Sequence, residues 1–187
     1  MVGAVLTQNT AWSNVERAIA HLKSAGWLSP AAIAACEHAA LAEALRPAGY
    51  FNVKARRLAS FCRFLVDSGG EPVLARQDTA DLRRVLMAVH GIGPETADDI
   101  LLYAFGRPVF VIDAYTRRLL QRLGLASGAE GYEELRAGFE RALGPDAALY
   151  NEYHALIVHH AKAACRVRAR CEDCCLRRGC RSAGSFD

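Results

Sequence analysis

Two helical patterns, QDTADLRRVLMAV and ETADDILLYAF, are separated only by His90-Gly91-Ile92-Gly93-Pro94. A connection that short makes the two helices neighbours in a hairpin. Glycine at 91 and 93 lets the backbone turn tightly and lets another group approach it, and Pro94 suits a first helical position, where a missing N–H costs nothing. The rest of the chain carries helical periodicity with no convincing alternating strand, so the expected fold class is all-α. Start and stop signals support that reading. Ser13 and Glu16 form a capping-box pattern ahead of VERAIAHLKSAG, with Gly26 as its stop. Ser29-Pro30 opens the next helix, Asn52 can cap VKARRLASFCRFLVDSGG, and that segment closes on Gly69-Gly70.

At 187 residues the chain makes one large domain or two small ones, long enough for a real core. It is 52% hydrophobic, yet no run approaches the roughly 18 apolar residues that cross a bilayer, and MVGAVLTQNT has no charged n-region or cleavage site. A soluble, cytoplasmic protein without a membrane partner is the expectation. The net charge of +3 says little, but its distribution says more. Lys162, Arg166, Arg168, Arg170, Arg177, Arg178 and Arg181 face only Glu172 and Asp173 in the same stretch. Five cysteines, 165, 171, 174, 175 and 180, share that basic tail, which suits metal ligation better than disulfides. Cys36 and Cys62 lie far off in helical stretches, as free buried thiols do.

Two further places carry chemistry. A Gly-x-Gly turn running into a helix aims backbone N–H groups one way and adds the positive end of the helix dipole, so residues 91–96 can hold a phosphate; a plain helix-helix turn has the same signature. Asp113 follows the apolar run VFVI and opens a new helix. It can be an N-cap and nothing more, accepting from the amides of Tyr115 or Thr116. A cap also fixes a carboxylate in place and can leave one oxygen available for chemistry.

GIGPETADDILLYAFGRPVFVIDAY resembles the helix-hairpin-helix, the glycine/proline-rich loop and the catalytic aspartate of the endonuclease III superfamily of DNA base-excision glycosylases. LTQNTAWSNVERA is similar to that family's first core segment, AGYFNVKARRLASFCRFL to its lesion-side loop and following helix, and the cysteine tail to its [4Fe-4S] loop. The resemblance implies a two-lobed fold, with a six-helix-type domain over 1–112 that holds the hairpin at about 82–105, and a helical cluster domain over 113–187. It implies that the helix preceding this point in the family is absent. The partner implied is double-stranded DNA with a damaged base, bound by a monomer near the nucleoid, with phosphate contacts from Gly91, Gly93 and Thr96 and an optional monovalent cation on the hairpin carbonyls.

The same resemblance assigns Cys165, Cys171, Cys174 and Cys180 as cluster ligands, with five, two and five residues between them. The first gap is one residue shorter than the family's usual spacing. Zinc also accepts paired C-x-x-C ligands and stays open from the spacing alone. Arg168 and Arg170 would lie on DNA phosphates. Gln8 matches the glutamine that fills the gap left by a flipped base, and Tyr50 stands in the loop that supplies the second wedge. A surface polar group and a half-buried aromatic are the plainer readings of these two.

Where bifunctional members carry a nucleophilic lysine this chain has Glu95, which implies hydrolysis of the glycosidic bond by Asp113 without strand cleavage; Glu95 also suits the first turn of a helix on electrostatic grounds alone. QNTAW together with Glu95 looks like the 3-methyladenine glycosylase branch, with Trp12 as a stacking platform for a cationic base or, alternatively, a core residue. Removal of uracil, mismatched thymine or oxidised pyrimidines, or a catalytically inactive iron-sulfur DNA-binding module, are the other readings.

Overall fold

The computed structural model describes residues 1–185, and among them there is no strand. The chain packs as two compact units, Met1–Phe105 and the part from Gly106 onward. The first unit runs through α1 (Val2–Leu6), α2 (Trp12–Ser24), α3 (Pro30–Ala35), α4 (His38–Ala44), a 3-10 turn at Arg46–Ala48, α5 (Phe51–Asp67), the short α6 (Glu71–Leu74), α7 (Thr79–Met87) and α8 (Pro94–Phe105).

α5 is the axis of this unit. Leu58, Phe61, Cys62 and Leu65 recur at helical spacing and are buried, and α1, α3 and α4 pack on the helix. On α2, Val15, Ala18 and Leu22 form the matching stripe. Burial pushes the Cys62 thiol up to about 11, which leaves it protonated and unreactive.

Helix starts follow the sequence where the signal is local and depart where tertiary contacts intervene. Ser29 caps α3 by accepting from the Ala32 amide, with Pro30 at the first position. The capping box at Ser13 does not form. α2 begins at Trp12 with Ala11 as an N-cap that makes no side-chain bond, and Glu16 is drawn instead to the Trp12 indole N–H at 2.9 Å. Asn52 does not cap α5 either, because Tyr50 takes that position in a left-handed conformation, φ 45°. Lys54 enforces the earlier start: it is buried, and its ammonium donates to the Ala48 carbonyl at 2.6 Å, tying the 3-10 turn to the first turn of α5.

The second unit opens with an extended, buried run at Val109–Ile112 and continues with α9 (Ala114–Leu123), α10 (Tyr132–Leu143), α11 (Ala147–Ala163) and a 3-10 turn at Arg177–Gly179. Phe110 organises its core. Its ring stacks on Phe139 of α10 at 4.0 Å and meets Tyr150 and Tyr153 of α11 edge-on. α9 packs on α11, and Gly124 in the left-handed region, φ 75°, stops α9. No helix among the described residues is long and apolar enough to cross a membrane.

Candidate nucleic-acid interface and excision site

The α7–α8 hairpin is braced by one buried ion pair. Arg83 on α7 donates through Nε and Nη2 to the two oxygens of Asp98 on α8, at 2.6 and 3.0 Å, and Asp98 is fully enclosed. A two-pronged pair of this kind sets the angle between the helices, and with it the aim of the turn. α8 starts at Pro94, so its first-turn amides have no acceptor inside the helix.

The two hairpin glycines do different work. Gly91 has φ 86°, and a side chain there would run into Arg57 of α5; it is glycine because of its own conformation and its neighbour. A Cβ on Gly93 would meet nothing, so this position borders open space next to the first turn of α8. Gly93→Val should therefore fold normally, yet fill the space a phosphate needs. DNA affinity is expected to drop about tenfold or more, equally for all sequences, because a charge-assisted contact is worth roughly 1.5 to 3 kcal/mol. Unchanged affinity in a fluorescence-anisotropy titration would remove the hairpin from the interface.

Gln8 joins this hairpin. Its amide donates to the Gly91 carbonyl at 3.2 Å and to the Thr96 hydroxyl at 2.9 Å, and Arg57 donates to its side-chain oxygen. Gln8, Gly91 and Thr96 thus form one cluster with a member the sequence did not flag, Arg57. The Gly91 carbonyl, a candidate cation ligand, is taken up by Gln8. Tyr50 is 70% exposed on the loop that Lys54 anchors. Trp12 is 48% exposed, which removes the core reading; its ring lies along Gly3 of α1, and Glu16 fixes its indole. Glu95 is exposed in the first turn of α8. A cavity of about 540 Å³ in this unit is lined by apolar side chains such as Leu28, Ile33, Phe61 and Leu65, and by none of the residues above.

In the second unit Asp113 caps α9. Its Oδ1 accepts from the Thr116 amide at 2.7 Å and the Thr116 hydroxyl at 2.8 Å. Its Oδ2 lies 3.6 Å from Nε2 of His154 on α11, and the two side chains are 13% and 8% exposed. Burial would push the Asp113 carboxyl up, but the neighbouring His154 imidazole and the Thr116 amide and hydroxyl outweigh it and hold the group below its ordinary value. The result is a carboxylate in a nearly dry place. His154 escaped the sequence reading because a histidine on a helical stretch carries no local sign of a partner on another helix.

The cysteine tail is fastened to α9. Arg118 donates to the Cys165 carbonyl at 2.9 Å, and Arg122 donates to the carbonyls of Arg166 and Val167 at 2.5 and 2.8 Å and to the Cys165 sulfur at 3.3 Å. Cys165, Cys171, Cys174 and Cys180 line one small cavity, while Cys175 is exposed and lies outside it. Among the described residues no three His, Cys, Asp or Glu side chains converge on a single metal ion. Four thiols on a common wall nonetheless match the donor set of a cubane cluster, which takes one thiolate per iron. Arg168 and Arg170 are exposed on the same loop.

The family described as HhH-GPD superfamily base excision DNA repair protein matches residues 2–145. The chain is 45% identical over 185 residues to a putative DNA repair glycosylase of Methanocaldococcus jannaschii, covering 97% of this chain and 84% of that one. With endonuclease III of Sulfolobus acidocaldarius it shares 29% over 182 residues, 97% and 80% of the two chains. Among solved structures, the Helicobacter pylori 3-methyladenine DNA glycosylase bound to 1,N6-ethenoadenine superimposes with a TM-score of 0.77 at 34% identity, over 86% of this chain and 82% of that one. A trapped endonuclease III–DNA covalent intermediate shares the fold, with a TM-score of 0.84 at 22% identity over 98% and 83%. The hairpin, the capped aspartate and these relationships together make the chain a member of the HhH-GPD superfamily of base excision DNA repair proteins, an endonuclease III-like helix-hairpin-helix glycosylase.

Proposed function

We propose that the protein is a monofunctional DNA glycosylase that releases alkylated purines, such as 3-methyladenine, from double-stranded DNA. The observation that carries this reading is the exposed, tethered Trp12: an indole held flat by Glu16 and Gly3 at the start of α2 offers a π face to a positively charged base. The likeness to the H. pylori 3-methyladenine enzyme supports it.

Each residue then has a task. Backbone amides around Gly93 and Thr96, with Arg168 and Arg170 on the other unit, hold phosphates and set the register without reading sequence. The target nucleotide leaves the stack, and Gln8 and Tyr50 fill the space it vacates. For Gln8 this means exchanging its bonds to Gly91 and Thr96 for bonds to the orphaned base. An alkylated purine already carries a positive charge, so it departs without needing a proton from the protein. As the glycosidic bond breaks, the sugar gains the positive charge, and the Asp113 carboxylate stabilises that cation and takes a proton from the water that adds to it. The products are the free base and an abasic site.

Glu95 offers a carboxylate where bifunctional enzymes use an amine, so no imine forms and the strand stays intact. Cys165, Cys171, Cys174 and Cys180 would hold a [4Fe-4S] cluster, whose contribution is to order the basic loop that carries Arg168 and Arg170. The enzyme acts as a cytoplasmic monomer on the nucleoid.

A panel of duplexes with single lesions tests this. Release should be fastest for 3-methyladenine or 7-methylguanine, and Trp12→Ala should slow those substrates by roughly five- to thirtyfold, the value of about 1 to 2 kcal/mol of desolvated cation–π contact. Borohydride should trap no covalent adduct. Preference for uracil or thymine glycol would replace the substrate assignment, and a strong trapped adduct would withdraw the monofunctional one.

A further inference from the structure

His154 is a buried titratable group that this chemistry leaves unused. It lies on the second turn of α11, with its ring edge-on to Phe110 at 6.5 Å and Nε2 at 3.6 Å from Asp113 Oδ2. Thr116 occupies the other carboxylate oxygen twice over, through its amide and its hydroxyl. The two oxygens of Asp113 therefore have different duties: Oδ1 caps the helix, and Oδ2 is bounded by the imidazole.

We infer that His154 is a positioning residue for the excision reaction, its Nε2–H drawing on Oδ2 so that the carboxylate of Asp113 is held in one rotamer. The inference rests on the reading of Asp113 as the acting carboxylate. A carboxylate torsion is broad and roughly two-fold, so a grip on one oxygen alone leaves it free to swing; a second donor on the other oxygen removes that freedom. The separation of 3.6 Å is loose for a hydrogen bond, as such contacts commonly are before substrate closes the site.

Several polar groups on the neighbouring helices have partners of their own. On α10, Glu140 accepts from the Phe110 amide and pairs with Arg136. On α11, the Tyr150 hydroxyl donates to the Gly144 carbonyl. Lys162 of α11 and Arg118 of α9 both lie over the Tyr115 ring. His154 and Thr116 are the groups that hold the Asp113 carboxyl below its ordinary value against burial. With the histidine gone, burial is opposed by Thr116 alone and the carboxyl titrates at higher pH than in wild type.

The experiment follows the Asp113 carboxyl carbon by NMR across a pH series in the full-length protein labelled at aspartate, with Asp113→Asn assigning the resonance. His154→Leu should move its midpoint upward by about one pH unit or more, and His154→Gln, which keeps a donor of similar reach, should restore most of the shift. In single-turnover excision, His154→Leu should lose roughly ten- to a hundredfold, the scale of a misplacement near 1 Å, and His154→Gln should stay within about threefold of wild type. A structural histidine would lower thermal stability and leave the titration where it was, and that result overturns the inference. If His154→Leu does not fold, a folded His154→Gln whose Asp113 midpoint rises by about one pH unit or more above wild type overturns it equally. The titration is read without any substrate. A wild-type protein that releases no base would thus count against the proposed function while the NMR arm still decides the role of His154.

Discussion

Asp113→Asn is expected to leave lesion-duplex affinity nearly intact while base release under single-turnover conditions falls about a hundred- to a thousandfold. Asparagine is as good an N-cap as aspartate, and its side-chain oxygen can still accept from the Thr116 amide and hydroxyl, so α9 should keep its start. What disappears is a full negative charge at the place where, in the proposed mechanism, a sugar cation would develop. Preorganised charge in a water-poor site is commonly worth roughly 3 to 4 kcal/mol of barrier, which sets that range. The wild-type carboxyl titrates below its ordinary value, so the contribution it makes to folding is complete above about pH 4 and is lost as pH falls through the folded value. The variant has no such titration, and its stability should vary less in strong acid. A rate loss under about threefold would show that Asp113 is a cap and nothing more.

That experiment bears on a residue visible in the sequence for a local reason. Asp113 opens a helix, and its cap partner is three positions away, as Ser29 and Ala32 are. Signals of this reach hold where no tertiary contact competes. Ser13 and Asn52 were equally good local candidates and were overruled from a distance. Glu16 found a better donor in an indole that packs on Gly3 of another helix, and the buried Lys54 helps fix the N-cap of α5 at Tyr50, two residues before Asn52. Arg57 and His154 had no local signal at all, since the first acts on Gln8 across 49 positions and the second reaches Asp113 from α11. The hairpin was legible because glycine and proline punctuate it. The pair that braces it, Arg83 and Asp98, was not, because each alone reads as an ordinary helix charge. The exposure of Trp12 likewise lay beyond the sequence, which offered a core residue and a stacking platform with equal grounds.

The cysteine tail carries the other large expected effect. Cys171→Ser should bring bound iron from roughly four per chain to almost none, with loss of the brown colour, because each corner of a [4Fe-4S] cube needs its own thiolate. Cys175→Ser should keep iron and colour, since that thiol faces solvent outside the cavity that the other four line. The consequence for DNA binding follows from how the loop is fastened. Arg118 and Arg122 grip the segment at Cys165–Val167, so the near end of the loop stays on α9 whatever happens to the cluster. The Arg170 amide also donates to the Ala164 carbonyl at 2.9 Å, but beyond it the path would be set by Cys171, Cys174 and Cys180 on the proposed cluster, and loss of the cluster would loosen the register of the arginines. Cys171→Ser should therefore bind duplex DNA more weakly and with a shallower dependence on salt, because fewer phosphates are neutralised at once. A protein purified with zinc in place of iron, or a variant pair in which Cys175 proved essential and Cys174 dispensable, would overturn the ligand set; a normal salt slope in iron-free Cys171→Ser would show that the arginines hold their phosphates without the cluster.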